Sequence, residues 1–150
     1  MSSHRYSLFT EKGYKLTKKY TIPRTYLGMG KYAAYKDFGE DLWKIGYGSE
    51  VINEHYLNAN DRASQEEIDK QFYIDLKNFS KKAENYIFVN LNKNKRAAIL
   101  SFAHSIGLTS FKSCRLLELI NSYATKNKII KEWSPYINRI WMSGGDLMAS

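Results

Sequence analysis

The feature that most constrains the fold is the segment KNKRAAILSFAHSIG at residues 93–107. Its spacing predicts a helix that is apolar on almost every face between Ala97 and Ile106, and Gly107 is the predicted end of this helix. A helix without a polar face is stable in water only when other elements cover it on all sides. The segment therefore predicts a helical core with this helix in its middle.

Helical patterns also flank the central segment. Before it, ASQEEIDKQFYIDLKNFSKKAENYI (residues 63–87) has apolar residues near helical spacing, and Ser64 with Glu67 makes a predicted capping box at its start. After it, SFKSCRLLELINSY (residues 110–123) predicts a third helix. Two further short helices are predicted over residues 127–133 and 136–142.

A β-hairpin is predicted earlier in the chain. Residues 33–35 and 42–45 have the composition of short strands, and they enclose a five-residue turn at residues 37–41 that is rich in Asp and Gly. Such residues favour turns because their side chains bond to the local backbone or tolerate a positive φ.

The segments around the hairpin have weaker signals. A short helix is predicted over residues 4–12, with Gly13 as its end. Residues 14–30 are predicted to be irregular or extended, and residues 49–63 to be mostly loop. Taken in order, these elements predict an α+β fold.

We expect one domain over residues 1–150. It would have a small β-lobe at about residues 31–60, packed beside a mainly helical lobe at about residues 64–150.

Charge and cysteine content narrow the classes of function. The net charge of +8 favours an anionic partner: nucleic acid, an anionic membrane or an acidic cell-wall polymer. The single cysteine, Cys114, cannot form a disulfide within the chain, and its apolar surroundings predict a buried structural thiol. No apolar run is long enough to span a bilayer, and no apolar leader follows the first residues, so we expect synthesis in a cytoplasm.

The histidines and basic runs do not predict a metal or nucleic-acid site. His104 lies in the central helix, where a hydrogen-bonded core histidine is expected, and His4 and His55 lack acidic partners at metal-binding spacing. No nucleic-acid motif occurs, and the basic runs are predicted to be solvated faces. These runs are residues 18–19, 81–82 and 93–96. We therefore expect no cofactor and no metal.

Four motifs in order resemble one known family. The sequence has AYKD at residues 34–37 followed by WKIGYG at residues 43–48, and then ASQEEID at residues 63–69. The long segment LNKNKRAAILSFAHSIGLTSFKSCRLLELIN follows at residues 91–121, and SGGDLM at residues 143–148 comes last. Together they resemble the phage-type lysozymes from about Tyr32 to the end of the chain.

The resemblance implies cleavage of the β-1,4 bond between N-acetylmuramic acid and N-acetylglucosamine in peptidoglycan. This chemistry needs a carboxylic acid to protonate the leaving oxygen and a carboxylate near the anomeric carbon. Asp37 falls on the family's catalytic aspartate. The resemblance also implies substrate contacts by four side chains, which are Tyr35, Lys44, Tyr47 and Ser105.

Two of the family's catalytic positions differ here. Gly28 stands where counting back from the aspartate places the acid, which in this family lies at the end of the first helix. Lys44 replaces the threonine that helps to place water, and we expect it to pair with Asp37 and lower the pKa of that carboxyl. FTEKGYKL at residues 9–16 resembles the end of the family's first helix, so Glu11 is the alternative acid.

Choosing Glu11 as the acid requires an insertion over about residues 17–31, and such a surface insertion costs little stability. Glu40 and Asp41, in the hairpin turn near Asp37, are further carboxylates that can substitute for a missing catalytic carboxyl group.

Two functions follow from these observations, and the net charge leaves a basic nucleic-acid-binding domain as a third alternative. The first is a lysozyme that acts as an endolysin or in the virion, with bacterial peptidoglycan as its partner. The second is a lysozyme-fold protein that no longer cleaves and binds the cell wall or other phage virion proteins. Either would leave the host cytoplasm for the periplasm or cell wall, or travel with the virion. A free chain is expected to be a monomer without nucleic acid.

Overall fold

The fold combines helices with small antiparallel sheets, as seen in a computed structural model that describes residues 7–123 and 128–129. The helices are α1 (Glu11–Lys19), α2 (Gln65–Ala83), α3 (Lys93–Ile106), α4 (Leu108–Phe111) and α5 (Arg115–Asn121), with a 3-10 turn at Glu84–Tyr86. The strands are β1 (Tyr26–Gly28), β2 (Lys31–Ala33), β3 (Tyr35–Asp37), β4 (Leu42–Lys44), β5 (Val51–Ile52), β6 (His55–Tyr56) and β7 (Arg62–Ser64). This mixture confirms the predicted α+β class.

The chain divides into two compact units. The strand unit is Lys19–Leu76, and the helical unit takes in the chain up to Lys18 and from Lys77 onward. The expectation of one domain stays a prediction. No helix in the described ranges is both long and apolar enough to cross a bilayer.

The strand unit is built from three small antiparallel sheets. Their strand orders are β1-β2-β7, β3-β4 and β5-β6. Its core is a cluster of buried side chains, against which Tyr47 and Leu57 pack. The members of this cluster are Tyr32, Ile45, Ile52, Ala63 and Ile68. Burial of this apolar surface holds sheets that are each too small to be stable alone.

The predicted hairpin is confirmed as β3 and β4, with Tyr35 opposite Lys44 and Asp37 opposite Leu42. Asp37 is the last residue of β3, so the loop spans residues 38–41 and is shorter than predicted. The prediction of mostly loop at residues 49–63 is confirmed for most of that range, but it missed β5, β6 and part of β7, which lie there. These strands have two or three residues, too few to produce a readable alternation.

The first helix lies later in the chain than predicted. Residues 1–6 lie outside the described residues, but α1 begins at Glu11 and continues past Gly13 to Lys19. The Thr10 hydroxyl accepts a hydrogen bond from the Gly13 amide at 2.9 Å, which makes Thr10 the cap of α1. Gly13 permits close packing, since a Cβ there would lie 3.3 Å from Ala97 Cα. A glycine is therefore needed here because a side chain would not fit, and not because the helix ends.

The helical unit is organised around α3, as predicted. Ala97, Ala98, Ile99 and Leu100 are fully buried, and Gly107 ends the helix with φ +86. The α2 capping box is also confirmed in both directions. The Ser64 amide donates to Glu67 Oε1 at 2.8 Å, and the Glu67 amide donates to Ser64 Oγ at 3.1 Å.

The start of α3 is less solvated than predicted. Asn94 and Lys95 are buried, and burial lowers the pKa of Lys95. The Arg96 guanidinium donates to the carbonyls of Leu91 and Ser7 at 3.0 and 2.9 Å. The prediction of a solvated basic face at residues 93–96 is therefore wrong for Lys95, whereas Arg96 is half-buried and Lys93 is exposed.

The predicted third helix is two helices, α4 and α5, separated at residues 112–114. Cys114 is half-buried and caps α5, with its Sγ accepting from the Leu117 amide at 3.4 Å, so the prediction of a buried thiol inside a helix is wrong. Of the predicted fourth helix only residues 128 and 129 are described, both helical. The predicted fifth helix and the motif at residues 143–148 lie outside the described residues.

Candidate active site

Asp37 is held at the end of β3 by three donors. Its carboxylate accepts from the backbone amides of Gly39 and Glu40 at 3.0 and 3.3 Å, and Lys44 Nζ lies 3.1 Å from Oδ2. The Lys44 hydrogen bond, followed by the Glu40 amide, lowers the pKa of Asp37. The predicted Lys44–Asp37 pair is confirmed, and it keeps this carboxylate ionised at neutral pH.

Lys44 has a second acidic partner. It lies on β4, its side chain is 15% exposed, and it also bonds to Glu40 Oε1. Burial alone would lower the pKa of Lys44, but the bonds to Glu40 and Asp37 outweigh burial and raise this pKa. The ammonium therefore stays charged between two carboxylates. The spacing of Glu40 and Lys44 was visible in the sequence, but their contact depends on how the turn folds.

Tyr35 stands opposite Lys44 and contacts a residue that the sequence analysis missed. The Arg24 guanidinium lies 4.5 Å from the centre of the half-buried Tyr35 ring. Burial raises the pKa of Tyr35, although Arg24 and Lys44 oppose this shift. Arg24 is itself positioned by its amide, which donates to the Gly46 carbonyl at 3.0 Å. The strand unit thus places an aromatic face, two cations and Asp37 in and beside one hairpin.

The other two turn carboxylates considered as substitutes are engaged in ion pairs. Glu40 bonds to Lys44, and Asp41 lies 3.0 Å from Lys36 Nζ with its side chain 89% exposed. The Lys36 ammonium also lies 5.6 Å from the Trp43 ring centre. Exposed ion pairs of this kind add little stability, so these contacts chiefly order the turn.

Tyr47 belongs to a hydrogen-bonded chain inside the strand unit. Its hydroxyl donates to Asp69 Oδ1 at 2.8 Å, and Gln65 Nε2 donates to the same oxygen at 2.9 Å. The Tyr32 hydroxyl in turn donates to Gln65 Oε1 at 2.6 Å. Burial, followed by the Asp69 contact, raises the pKa of Tyr47. The i,i+4 spacing of Gln65 and Asp69 on α2 was the signal for this network in the sequence.

Glu11 lies in the helical unit, at the first position of α1, and is exposed. The resemblance implied that residues 9–16 form the end of the first helix. That interpretation is wrong, because α1 begins at Glu11 and ends at Lys19. The residues at the end of α1 are Lys18, Lys19, Tyr20 and Thr21, which supply no carboxylate. Gly28, at the end of β1, supplies no side chain either. Glu11 as the acid stays a prediction.

The remaining candidates are less informative. Ser105 is exposed on α3, and its hydroxyl donates to the Phe102 carbonyl at 2.7 Å. His104 is half-buried with its ring edge-on to Phe79, at 5.7 Å between centres, so it is only partly enclosed. His55 lies 3.1 Å from Asp61. The described residues contain no group of three His, Cys, Asp or Glu side chains placed to hold a metal.

Comparisons with known proteins agree with this architecture. An endolysin of Acyrthosiphon pisum secondary endosymbiont phage 1 is 30% identical over 94 residues, which cover 61% of this chain and 62% of that protein. The match thus spans less than two thirds of that curated relative.

Two solved structures have a similar fold. An endolysin of Escherichia coli O157:H7 phage FAHEc1 has a TM-score of 0.63 at 18% identity, covering 92% of this chain and 90% of that one. The muramidase domain of SpmX from Asticaccaulis excentricus has a TM-score of 0.66 at 19% identity, covering 97% and 99%. These likenesses confirm the lysozyme-like fold.

The family model described as "Phage lysozyme" matches residues 27–146, which is most of the chain. The matched range includes Asp37 and Lys44 but begins after Glu11. Since the match extends over both the β3–β4 hairpin and α3, the chain belongs to the phage lysozyme family.

Proposed function

We propose that this protein is a lysozyme that cleaves the β-1,4 bond between N-acetylmuramic acid and N-acetylglucosamine in bacterial peptidoglycan. The observation that carries the proposal is Asp37. It lies within the family match, at the end of a strand, and it is held ionised by Lys44 and two backbone amides. An ionised carboxylate near the anomeric carbon stabilises the positive charge that develops there in the transition state.

The proposal assigns the general acid to Glu11. The family position for this group is Gly28, which has no side chain, and Glu11 is the exposed carboxylate nearest the start of the described chain. A general acid contributes roughly 10²–10⁴-fold to the rate. The proposal also gives glycan contacts to Tyr35, Lys44, Tyr47 and Ser105.

Matched pairs of variants test both assignments on purified cell walls, with clearing of turbidity as the readout. Glu11→Gln and Asp37→Asn should each reduce the rate at least about a hundredfold. Glu66→Gln is the control for Glu11, because both are exposed glutamates in the first turn of a helix. Asp41→Asn is the control for Asp37, since it lies in the same hairpin. Full activity of Glu11→Gln would show that Glu11 is not the general acid.

A second function is favoured by the two departures from the family. Lys44 occupies one oxygen of Asp37, and the end of α1 carries no carboxylate. In this second function the chain would bind peptidoglycan without cleaving it, and would serve as a cell-wall-binding or virion component. Co-sedimentation of the wild type with cell walls that it never clears would select this second function over the first.

Both functions place the protein at the bacterial cell wall. As an endolysin it would be released from the host cytoplasm during lysis, and as a virion protein it would arrive with the particle. We propose a monomer for the free protein, and a single domain for the whole chain. Sedimentation of the purified protein measures whether it is a monomer. One cooperative unfolding transition would support a single domain.

A further inference from the structure

The β1–β2 hairpin presents apolar side chains to solvent. Met29 at its tip is 98% exposed, Ile22 is 83% exposed and Leu27 is 55% exposed. Single exposed apolar residues are common on proteins, and other exposed apolar side chains occur elsewhere on this one, but three aliphatic side chains within eight residues can form a contact surface. We call residues 19–31 the hairpin segment.

Met29 occupies a position that its backbone conformation does not favour. Its φ is +53, and it stands between Gly28 and Gly30, which also have positive φ. Glycine and asparagine adopt this left-handed conformation at least cost, whereas a long apolar side chain there combines backbone strain with unfavourable hydration. The fold of the hairpin does not account for methionine at this position.

The apolar tip stands on a firmly bonded base. The Gly30 amide donates to the Tyr26 hydroxyl at 2.9 Å, and the Gly30 carbonyl accepts from the Gln65 amide at 2.9 Å. The Tyr26 ring lies 4.9 Å from that of the buried Tyr32, measured between centres. These contacts leave Leu27 and Met29 exposed on an ordered hairpin, and the exposed Ile22 lies in the segment that leads into it.

The charge of the segment completes the pattern. Lys19, Arg24 and Lys31 are exposed, and residues 19–31 contain no Asp or Glu. Aliphatic side chains beside cations suit a bilayer interface, where the cations meet anionic headgroups and the apolar groups enter the acyl boundary. Tyr20 and Tyr26 of the same segment are also exposed, and tyrosine rings with a polar tip suit the headgroup level of a bilayer.

We propose that the hairpin segment docks the protein on an anionic lipid surface by inserting Ile22, Leu27 and Met29 between the headgroups while Lys19, Arg24 and Lys31 contact lipid phosphates. This binding needs neither Glu11 nor Asp37, but Arg24 connects the segment with the candidate site, because its guanidinium lies 4.5 Å from the Tyr35 ring centre. It would hold the protein at the bilayer through residues 19–31, and the residues outside this segment would stay available for binding peptidoglycan.

The test measures co-sedimentation of the full chain with phosphatidylglycerol-containing vesicles at about 0.1 M salt, where screening acts over about 10 Å. Ile22→Ser, Leu27→Ser and Met29→Ser combined should weaken binding at least about tenfold at unchanged net charge. The control is Tyr56→Ser with Phe88→Ser, which removes side chains that are 82% and 70% exposed elsewhere. The control should bind as the wild type does.

A single variant separates binding from folding. Met29→Asn removes the apolar tip but places a residue that prefers positive φ, so it should weaken vesicle binding while leaving thermal stability equal or higher. For the charges, Lys19→Gln with Lys31→Gln should weaken binding more than Lys70→Gln with Lys77→Gln on α2. Each removed lysine at the surface corresponds to roughly fivefold in affinity.

Four results would contradict the proposal. The first is no binding of the wild type to anionic vesicles, and the second is equal binding of the wild type and the triple serine variant. The third is loss of binding by the triple variant to lipid-free cell walls but not to vesicles, which would make the segment a glycan-binding surface. Binding to phosphatidylcholine vesicles as strong as to anionic ones would equally contradict the role of the cations.

Discussion

Lys44 is the residue that most affects the chemistry open to Asp37. Its ammonium lies between Asp37 and Glu40, so one positive charge pairs with two carboxylates on one hairpin. The pairing with Asp37 was predictable, because the two residues belong to facing strands of a hairpin. The pairing with Glu40 was not, since it depends on the path of the loop, where Asp41 has φ +57. Contacts made by turn residues follow from backbone angles that the sequence only partly determines.

Replacing Lys44 by methionine should raise the pKa of Asp37 towards its ordinary value. The reason is that the Lys44 hydrogen bond is the largest cause of the present downward shift. Carboxyl carbon chemical shifts measured against pH report this directly. Lys36→Met is the control, because Lys36 pairs with Asp41 and should leave the pKa of Asp37 unchanged. An unaltered Asp37 titration in Lys44→Met would show that the two backbone amides alone hold the carboxylate ionised.

The same shift predicts the pH dependence of stability. A carboxyl with a lowered pKa in the folded state stabilises the fold at pH values above its unfolded pKa, which is about 4 for aspartate. That contribution disappears as the pH falls through the folded pKa. The destabilisation caused by Lys44→Met should therefore be present at neutral pH and shrink in acid, as urea unfolding at several pH values would reveal.

Gly46 is fixed by packing as well as by its backbone. Its φ is +63, and a Cβ there would lie 2.7 Å from Ile68 Cβ in the core of the strand unit. Gly46→Ala should lower the free energy of unfolding by about 2–4 kcal/mol, from strain and overpacking together. Gly48→Ala shares the positive φ, but its nearest neighbour is 4.0 Å away, so it should cost less. Equal losses in urea unfolding would contradict the role given to Ile68.

Among the elements, α2 and α3 were predictable and α1 was not. The capping box of α2 and the all-round apolar pattern of α3 are local signals that the folded chain preserves. Gly13 misled the prediction because its role is set by Ala97 and Leu100, which are distant in sequence. A glycine near an apolar run ends a helix or admits a close neighbour, and only the fold distinguishes the two.

The start of α2 offers a direct test at the element scale. Ser64→Ala removes the acceptor for the Glu67 amide and should destabilise the protein by about 1 kcal/mol in thermal or urea unfolding. Ser113→Ala is the control, since its hydroxyl makes only a 3.4 Å contact with the Thr109 carbonyl. A loss in Ser64→Ala no larger than that of the control would mean that the cap adds nothing to the stability of α2.

For the whole molecule, the order of motifs identified the fold and the family although no single motif did. The motifs that the structure describes fall on the β3–β4 hairpin, on the capped start of α2 and on α3 to α5. The general acid could not be identified from the sequence, because Gly28 stands at the family position of the acid and Glu11 lies before the matched residues 27–146. A catalytic group acts through its position in space. An insertion changes the spacing along the chain, so the spacing no longer shows which residue holds that position.

Mass spectrometry of the soluble products from purified peptidoglycan tests whether the protein cleaves the glycan. The wild type should release fragments with N-acetylmuramic acid at the new reducing end, and Asp37→Asn should release at least about a hundredfold less. Asp41→Asn should release as much as the wild type. Absence of any such fragment from the wild type, with cell walls still bound, would contradict cleavage and leave a lysozyme fold that only binds its polymer.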